Sequence, residues 1–215
     1  MGTRTLPRDK WRPAGTGQRY DEHRWGAAQR SRRARLDPLA VAALLDDAGI
    51  RSGWVLDAAC GTGRLRPSIE TADGARRWIG VDASASMLGQ GPRDGRSVLG
   101  DVHRLPFADR SFDAVVANRL LHHLRERDEL ERAIAELIRV SRGPVIASFW
   151  NRDSLPGLRA RLGFGRDEGP SGRVDRSPRE IERAARAAGA RVVRVRHLLL
   201  RLSRQSFVVL LPRAD

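Results

Sequence analysis

The residues best suited to chemistry fall in four short groups, each directly after an apolar run. The first is Asp57-Ala58-Ala59-Cys60-Gly61-Thr62-Gly63. Small residues let the backbone pass close to a ligand, and a helix starting behind such a turn presents N–H groups to a carboxylate or phosphate. The second is Asp82, about 20 residues beyond the glycine turn, where a carboxylate grips ribose hydroxyls. The same residue is equally suited to capping a helix over Ser84 to Leu88. The third is Gly100-Asp101-Val102, an acid able to accept an adenine amino proton while the next N–H donates to the ring. The fourth runs from Asn118 through Arg119 to His122 and His123. This histidine pair holds the best-placed candidates for a general base, His123 slightly ahead. The alternative is that they orient a loop and pack under the following helix. A turn, a ribose acid and an adenine acid in that order are much rarer by chance than any one alone.

These groups need elements to carry them. WVLDAA (54–59), WIGVD (78–82), SVLGD (97–101), FDAVVAN (112–118) and PVIASFW (144–150) read as short apolar strands. Between the last two, Leu130, Ile134, Leu137 and Ile138 fall at helical spacing over 125–141. DPLAVAALLDDAGI reads as a helix with Asp37 at its N-cap, Pro38 in its first turn and Leu39, Ala42, Leu44 and Leu45 on its apolar face. A helix over Pro178–Ala188 precedes two apolar stretches, Arg191–Leu202 and Gln205–Leu211. With Ser203-Arg204 as a tight link, they form a terminal antiparallel hairpin. Alternating strands and helices imply an α/β, doubly wound, mostly parallel sheet, whose ligands bind at the strand carboxyl ends.

The chain has 215 residues and suits one core. Residues 1–35 read as a basic arm with a possible lid helix over 20–36, residues 36–215 as a single domain, and 151–177 as a substrate-side insertion. The net charge is +14, and only one of the 40 basic residues is lysine. It divides as +7 over 1–35, −1 over 36–150 and +8 over 151–215. Arginine-rich codon usage does not choose where acids fail to balance the charge, so the basic ends hint at an anionic substrate or surface. Solvated tails without a partner are the alternative. No apolar run reaches the ~20 residues of a membrane span. The N-terminus lacks the apolar core of a secretory signal, and the single cysteine, Cys60, fits a reducing compartment; both predict a cytoplasmic protein. The scattered histidines and lone cysteine offer no metal site.

VLDAACGTGR, IGVDASASML, GDVHRLPFADRSFDAVVANRLLHHL and ELIRVSRGPVIASFW closely resemble the successive motifs of class I S-adenosylmethionine-dependent methyltransferases of the small-molecule type. The resemblance covers roughly 54–150. It implies a seven-stranded sheet with a reversed last strand and S-adenosylmethionine as cofactor. Ala59, Cys60, Gly61 and Gly63 would line the methionine moiety, with Asn118 near its end. Asp82, followed by Ala83, would bind the ribose, and Asp101 with Val102 the adenine. Met87 would pack on the adenine face, and Asp57 would order the glycine turn. Ala59 departs from the family, which usually has glycine there. One extra methyl disfavours positive φ, so the methionine end is where the departure bears.

Aligning nucleophile, methyl carbon and sulfur supplies most of the acceleration in methyl transfer, so the cofactor motifs name no obligatory catalytic residue. The acceptor side is expected from Tyr20, Arg24 and Arg119, from the loop after His123, and from 151–177. Tyr20 is suited to closing over a sulfonium or to serving as a plain apolar anchor. The favoured reading is methyl transfer to a small acceptor, with the basic ends as a hint that it is anionic. The alternatives are an RNA methyltransferase whose basic ends hold phosphates and a cofactor-binding module without catalysis. A nicotinamide dehydrogenase fits less well, because Gly61-Thr62-Gly63-Arg64 lacks the third small residue.

Overall fold

The computed structural model describes residues 32–164 and 173–213. Tyr20, Arg24, most of the basic arm and part of the 151–177 insertion lie outside these residues. Eight strands form one sheet: β1 (Gly53–Ala58), β2 (Arg76–Asp82), β3 (Ser97–Leu99), β4 (Ala114–Ala117), β5 (Val145–Asn151), β6 (Asp175–Arg176), β7 (Ala190–His197) and β8 (Gln205–Pro212). The order is β3-β2-β1-β4-β5-β8-β7, with β6 pairing separately on β5. β1 to β5 pair in parallel, and β8 runs antiparallel between β5 and β7. The expected seven strands and reversed last strand are present, and the two-residue β6 is added to them.

Strict alternation in the central strands builds two cores. Leu56, Ala58, Val115, Ala117, Val145, Ala147, Val208 and Leu210 face one side. Their neighbours Val55, Ala114, Val116, Ile146, Phe207 and Val209 face the other. Residues two apart share a face and both faces are covered, so the strands read as nearly unbroken apolar runs. The helix α4 (Arg127–Val140) covers the first face with Leu130, Ala133, Ile134 and Leu137. α6 (Pro178–Ala187) lies beside it and buries Ile181, Ala184 and Ala185. Its N-cap Ser177 and Glu180 form a reciprocal capping box. The second face is covered by α1 (Arg32–Asp47) and the single turn α2 (Arg66–Ile69). Another single turn, α3 (Ala85–Leu88), follows β2, and α5 (Leu155–Arg161) follows β5.

Several local expectations are corrected. α1 extends back to at least Arg32, so Pro38 lies inside the helix and Asp37 is not its cap. The Asp37 carboxylate is 1% exposed and is held by Arg119 and Arg64. The buried stripe of α1 is Ala40, Val41, Leu44 and Leu45, whereas Leu39 is 65% exposed. Leu39 sits one residue off the three-and-four spacing that continues from Asp37. α1 also runs without a break through 35–36, where the arm was expected to end. The third strand stops at Leu99, because Asp101 turns away to bridge Arg104. The terminal hairpin is joined by 198–204, which includes a 3-10 turn over Leu198–Arg201, rather than by Ser203-Arg204 alone.

Candidate active site

Parallel strands bring their carboxyl ends to one rim, so the turns after β1, β2, β3 and β4 converge. They enclose a cleft of about 420 Å³, within the ordinary range of small-molecule sites. Asp57, Ala59, Cys60, Gly61, Asp82, Ala83, Met87, Asp101, Val102, Asn118, Arg119 and His123 all line it. Gly63 and His122 do not.

Backbone conformation shapes the first turn. Ala59, Gly61 and Gly63 have φ of 61°, 59° and 76°. A Cβ on Gly61 would stand 3.0 Å from Met87 Cε, inside the space the cleft needs. Gly63 acts from behind, since a Cβ there would meet Pro92 Cδ at 3.0 Å. Ala59 adopts the left-handed conformation expected of the family's glycine, which is disfavoured for L-residues. The Cys60 N–H donates to the Val81 carbonyl at 3.0 Å and ties the turn to β2.

The acids differ in environment. Asp57 is buried and accepts from Trp78 Nε1 at 3.2 Å. Burial pushes its carboxyl up to about 7, against the pull of the Trp78 hydrogen bond and the Arg64 charge. Asp82 accepts from Gly61 N at 2.8 Å through Oδ2 and from Ser84 N at 2.9 Å through Oδ1. Burial raises it too, while the Ser84 and Gly61 N–H groups pull the other way. Asp82 therefore organises both turns, but the cap of α3 is Ser84, whose Oγ accepts from Met87 N at 3.3 Å. Asp101 Oδ1 accepts from His103 N at 2.9 Å and lies 2.8 Å from His103 Nδ1. Burial drives the Cys60 thiol well above the range of a reactive cysteine, and Asp57 and Asp82 reinforce the effect.

At the other end, Asn118 Oδ1 accepts from Ser148 Oγ at 2.8 Å and Gln205 Nε2 at 3.0 Å. These two donors fix the amide in place on the cleft wall. Arg119 holds a left-handed backbone, φ 59°, and its N–H donates to Ser148 Oγ at 2.7 Å. The two histidine rings lie against each other, centroids 4.3 Å apart, yet differ in setting. His123 lines the cleft, whereas His122 is 4% exposed and stacks on Trp150 with centroids 4.8 Å apart and planes 8° from parallel. The loop they belong to is fastened by the buried Arg176, which donates to the Leu124 and Arg125 carbonyls at 2.6 and 3.0 Å.

Arg64, His103, Glu129 and Arg132 also line the cleft and were not picked out from the sequence. His103 carried a signal, two residues beyond an acid in a turn. Glu129 and Arg132 sit three apart on α4 and share one face, another legible sign. Among the described residues no cluster of His, Cys, Asp or Glu could hold a metal ion.

The donor set fits an adenosine-bearing ligand: a glycine turn without Cβ obstruction, then an acid after β2 and another after β3. Residues 56–144 match the model of the methyltransferase domain family. Structural neighbours of the same fold include S-adenosylmethionine-dependent methyltransferases. S-adenosylmethionine is the cofactor of these enzymes. A demethylmenaquinone methyltransferase from Beutenbergia cavernae is 40% identical over 135 residues, which are 60% of this chain and 54% of that protein. A tRNA (carboxymethyluridine(34)-5-O)-methyltransferase from Arabidopsis thaliana is 35% identical over 117 residues, 51% of this chain and 27% of that protein. The methyltransferase match thus spans about half the length of the first curated relatives it resembles, or less. The fold likeness is fuller. Magnesium protoporphyrin IX methyltransferase from Synechocystis, solved with the demethylated cofactor bound, superposes with a TM-score of 0.69 at 17% identity, over 92% of this chain and 98% of that one.

Proposed function

We propose that this chain transfers the methyl group of S-adenosylmethionine to a small acceptor molecule. The observation that carries this reading is the single cleft receiving Gly61, Asp82, Asp101 and Asn118 from four successive strand ends. When bound, the cofactor supplies an electrophilic methyl carbon on a sulfonium. Asp82 accepts the ribose hydroxyls, Asp101 accepts the adenine amino group, and the N–H of Val102 donates to the ring. The turn at Ala59 to Gly61 and the Asn118 amide hold the methionine end.

The acceptor approaches from the side of His123, Arg119 and Arg132. His123, on the cleft wall, would take up the proton that the acceptor releases. Positioning contributes about 7–11 kcal/mol in well-aligned systems, and a base adds about 10²–10⁴-fold. Arg119 and Arg132 favour an anionic or strongly polar acceptor, and the demethylmenaquinone relative favours a small molecule. The basic ends and the tRNA-modifying relative support RNA as the second reading.

Titration calorimetry with S-adenosylmethionine and its demethylated product tests the cofactor half. Wild type should bind both, and Asp82→Ala should weaken binding at least about tenfold, or ~1.4 kcal/mol. Folded protein that binds neither would overturn the proposal. Radiolabelled methyl transfer to small anionic acceptors and to total RNA then separates the two acceptor readings.

A further inference from the structure

Six of the nine large apolar side chains exposed among the described residues lie on two segments. Leu155, Leu158 and Leu162 form one stripe at three- and four-residue spacing along α5 and its end, 47%, 45% and 62% exposed, and Phe164 beyond them is 75% exposed. Leu199 and Leu202, in the link between β7 and β8, are 45% and 61% exposed. Both segments are anchored on buried Asn151 at the end of β5. Its carbonyl accepts from Ser154 Oγ, the α5 cap, at 2.6 Å. Its N–H donates to the Arg204 carbonyl at 2.6 Å, and its amide lies 3.3 Å from His197 Nδ1.

α5 is inverted relative to an ordinary surface helix. It turns Gly157 inward, where a Cβ would stand 2.5 Å from the Arg152 carbonyl, and its leucines outward. The close approach at Gly157 makes the outward leucines a consequence of packing, and no rotation of α5 would bury them. Arg159 and Arg161 on α5 and Arg196 near the end of β7 are exposed, and the last 65 residues carry a formal charge of +8. No carboxylate partner of these three arginines is present among the described residues. Because β7 runs parallel to β5, both segments stand on the rim that opens the cleft.

We propose that this rim docks on an anionic lipid bilayer, with Leu155, Leu158, Leu162 and Phe164 entering the interface and the arginines meeting lipid phosphates. Leucine and phenylalanine projecting from a short helix and a loop, with arginines between them, is the chemistry of interfacial binding. A partner protein would call for a larger patch buried against a complementary face, whereas a bilayer accepts projecting side chains without one. The docking stands apart from methyl transfer and persists if the cofactor reading fails.

The test is co-sedimentation of the full chain with vesicles of phosphatidylcholine alone and of equal parts phosphatidylcholine and phosphatidylglycerol. Wild type should sediment with the anionic vesicles and not the neutral ones. The triple variant Leu155→Ser, Leu158→Ser, Phe164→Ser should lose at least about tenfold in vesicle affinity. Arg159→Gln with Arg161→Gln should reduce it and lessen its salt dependence. Circular dichroism unchanged in each variant shows that folding is intact. No binding by wild type overturns the proposal. So does undiminished binding by the triple variant, which would assign the affinity to other basic residues. A wild-type dimer that the triple variant dissolves, without vesicle binding, would make the patch a protein interface instead.

Discussion

Arg119 Nε stands 2.7 Å from Asp37 Oδ2, joining the turn after β4 to helix α1 across 82 positions of sequence. Arg64, from the turn after β1, reaches the same oxygen at 3.3 Å. One buried carboxylate thus clasps two strand-end turns and a helix at the cleft mouth. Asp37→Asn keeps one acceptor oxygen but removes the negative charge that offsets two neighbouring cations. Each arginine retains some solvent, which limits the cost to about 1–3 kcal/mol. A lowered urea midpoint with an unchanged m-value would show this, together with weaker cofactor binding from the disordered turns.

Ala59 is the residue where the chain departs from glycine at a left-handed position. Ala59→Gly should relieve about 1–2 kcal/mol of backbone strain and lose about 0.4–1 kcal/mol through a freer unfolded chain. The expected net effect is a rise in Tm by scanning calorimetry, with cofactor affinity held or improved. Gly61→Ala should do the opposite, because its Cβ would enter the space of Met87 at a positive φ.

Asp57 makes stability depend on pH. Its folded carboxyl titrates at about 7, against about 3.9 in an unfolded chain. Between those values the folded state binds more protons, so stability falls as pH rises from about 4 to about 7 and levels off above. Asp82, raised by the same cause, adds a slope of the same sign. Asp57→Asn keeps an acceptor for Trp78 and removes the ionisation. It should flatten the pH profile and raise stability at pH 8, by at most about 4 kcal/mol. Urea denaturation at pH 5, 6.5 and 8 checks the sign.

The two histidines should separate cleanly. His123→Ala should lower kcat by about 10²–10⁴-fold for a protonated hydroxyl or amine acceptor, with KM little changed. His122→Ala removes the ring stacked on Trp150 and should cost about 1–2 kcal/mol of stability. Its effect on kcat should be smaller and should follow loosening of the loop. Steady-state kinetics beside thermal melts distinguishes them.

Local order was legible in the chain because it depends on near neighbours. Short unbroken apolar runs mark β1, β4 and β5, small residues mark the turn at Ala59 to Gly63, and an acid at the end of an apolar run marks Asp82 and Asp101. Spacing of three and four marks α4. A parallel sheet then obliges these turns to share one rim, so their convergence on one cleft followed from sequence. Partnerships across long separations did not. Nothing in the spacing of Asp37 links it to Arg119 or distinguishes a helix cap from a buried clasp, because both use the same carboxylate. Adjacent His122 and His123 are equivalent as letters, and only the 3-10 turn and the Trp150 ring send one inward and leave the other in the cleft. The leucines of α5 read only as part of a substrate-side insertion, and it is Gly157 packed against the Arg152 carbonyl that turns them outward. Composition and periodicity determine which residues seek burial or a turn; the three-dimensional packing decides which face wins and which partner each charge finds.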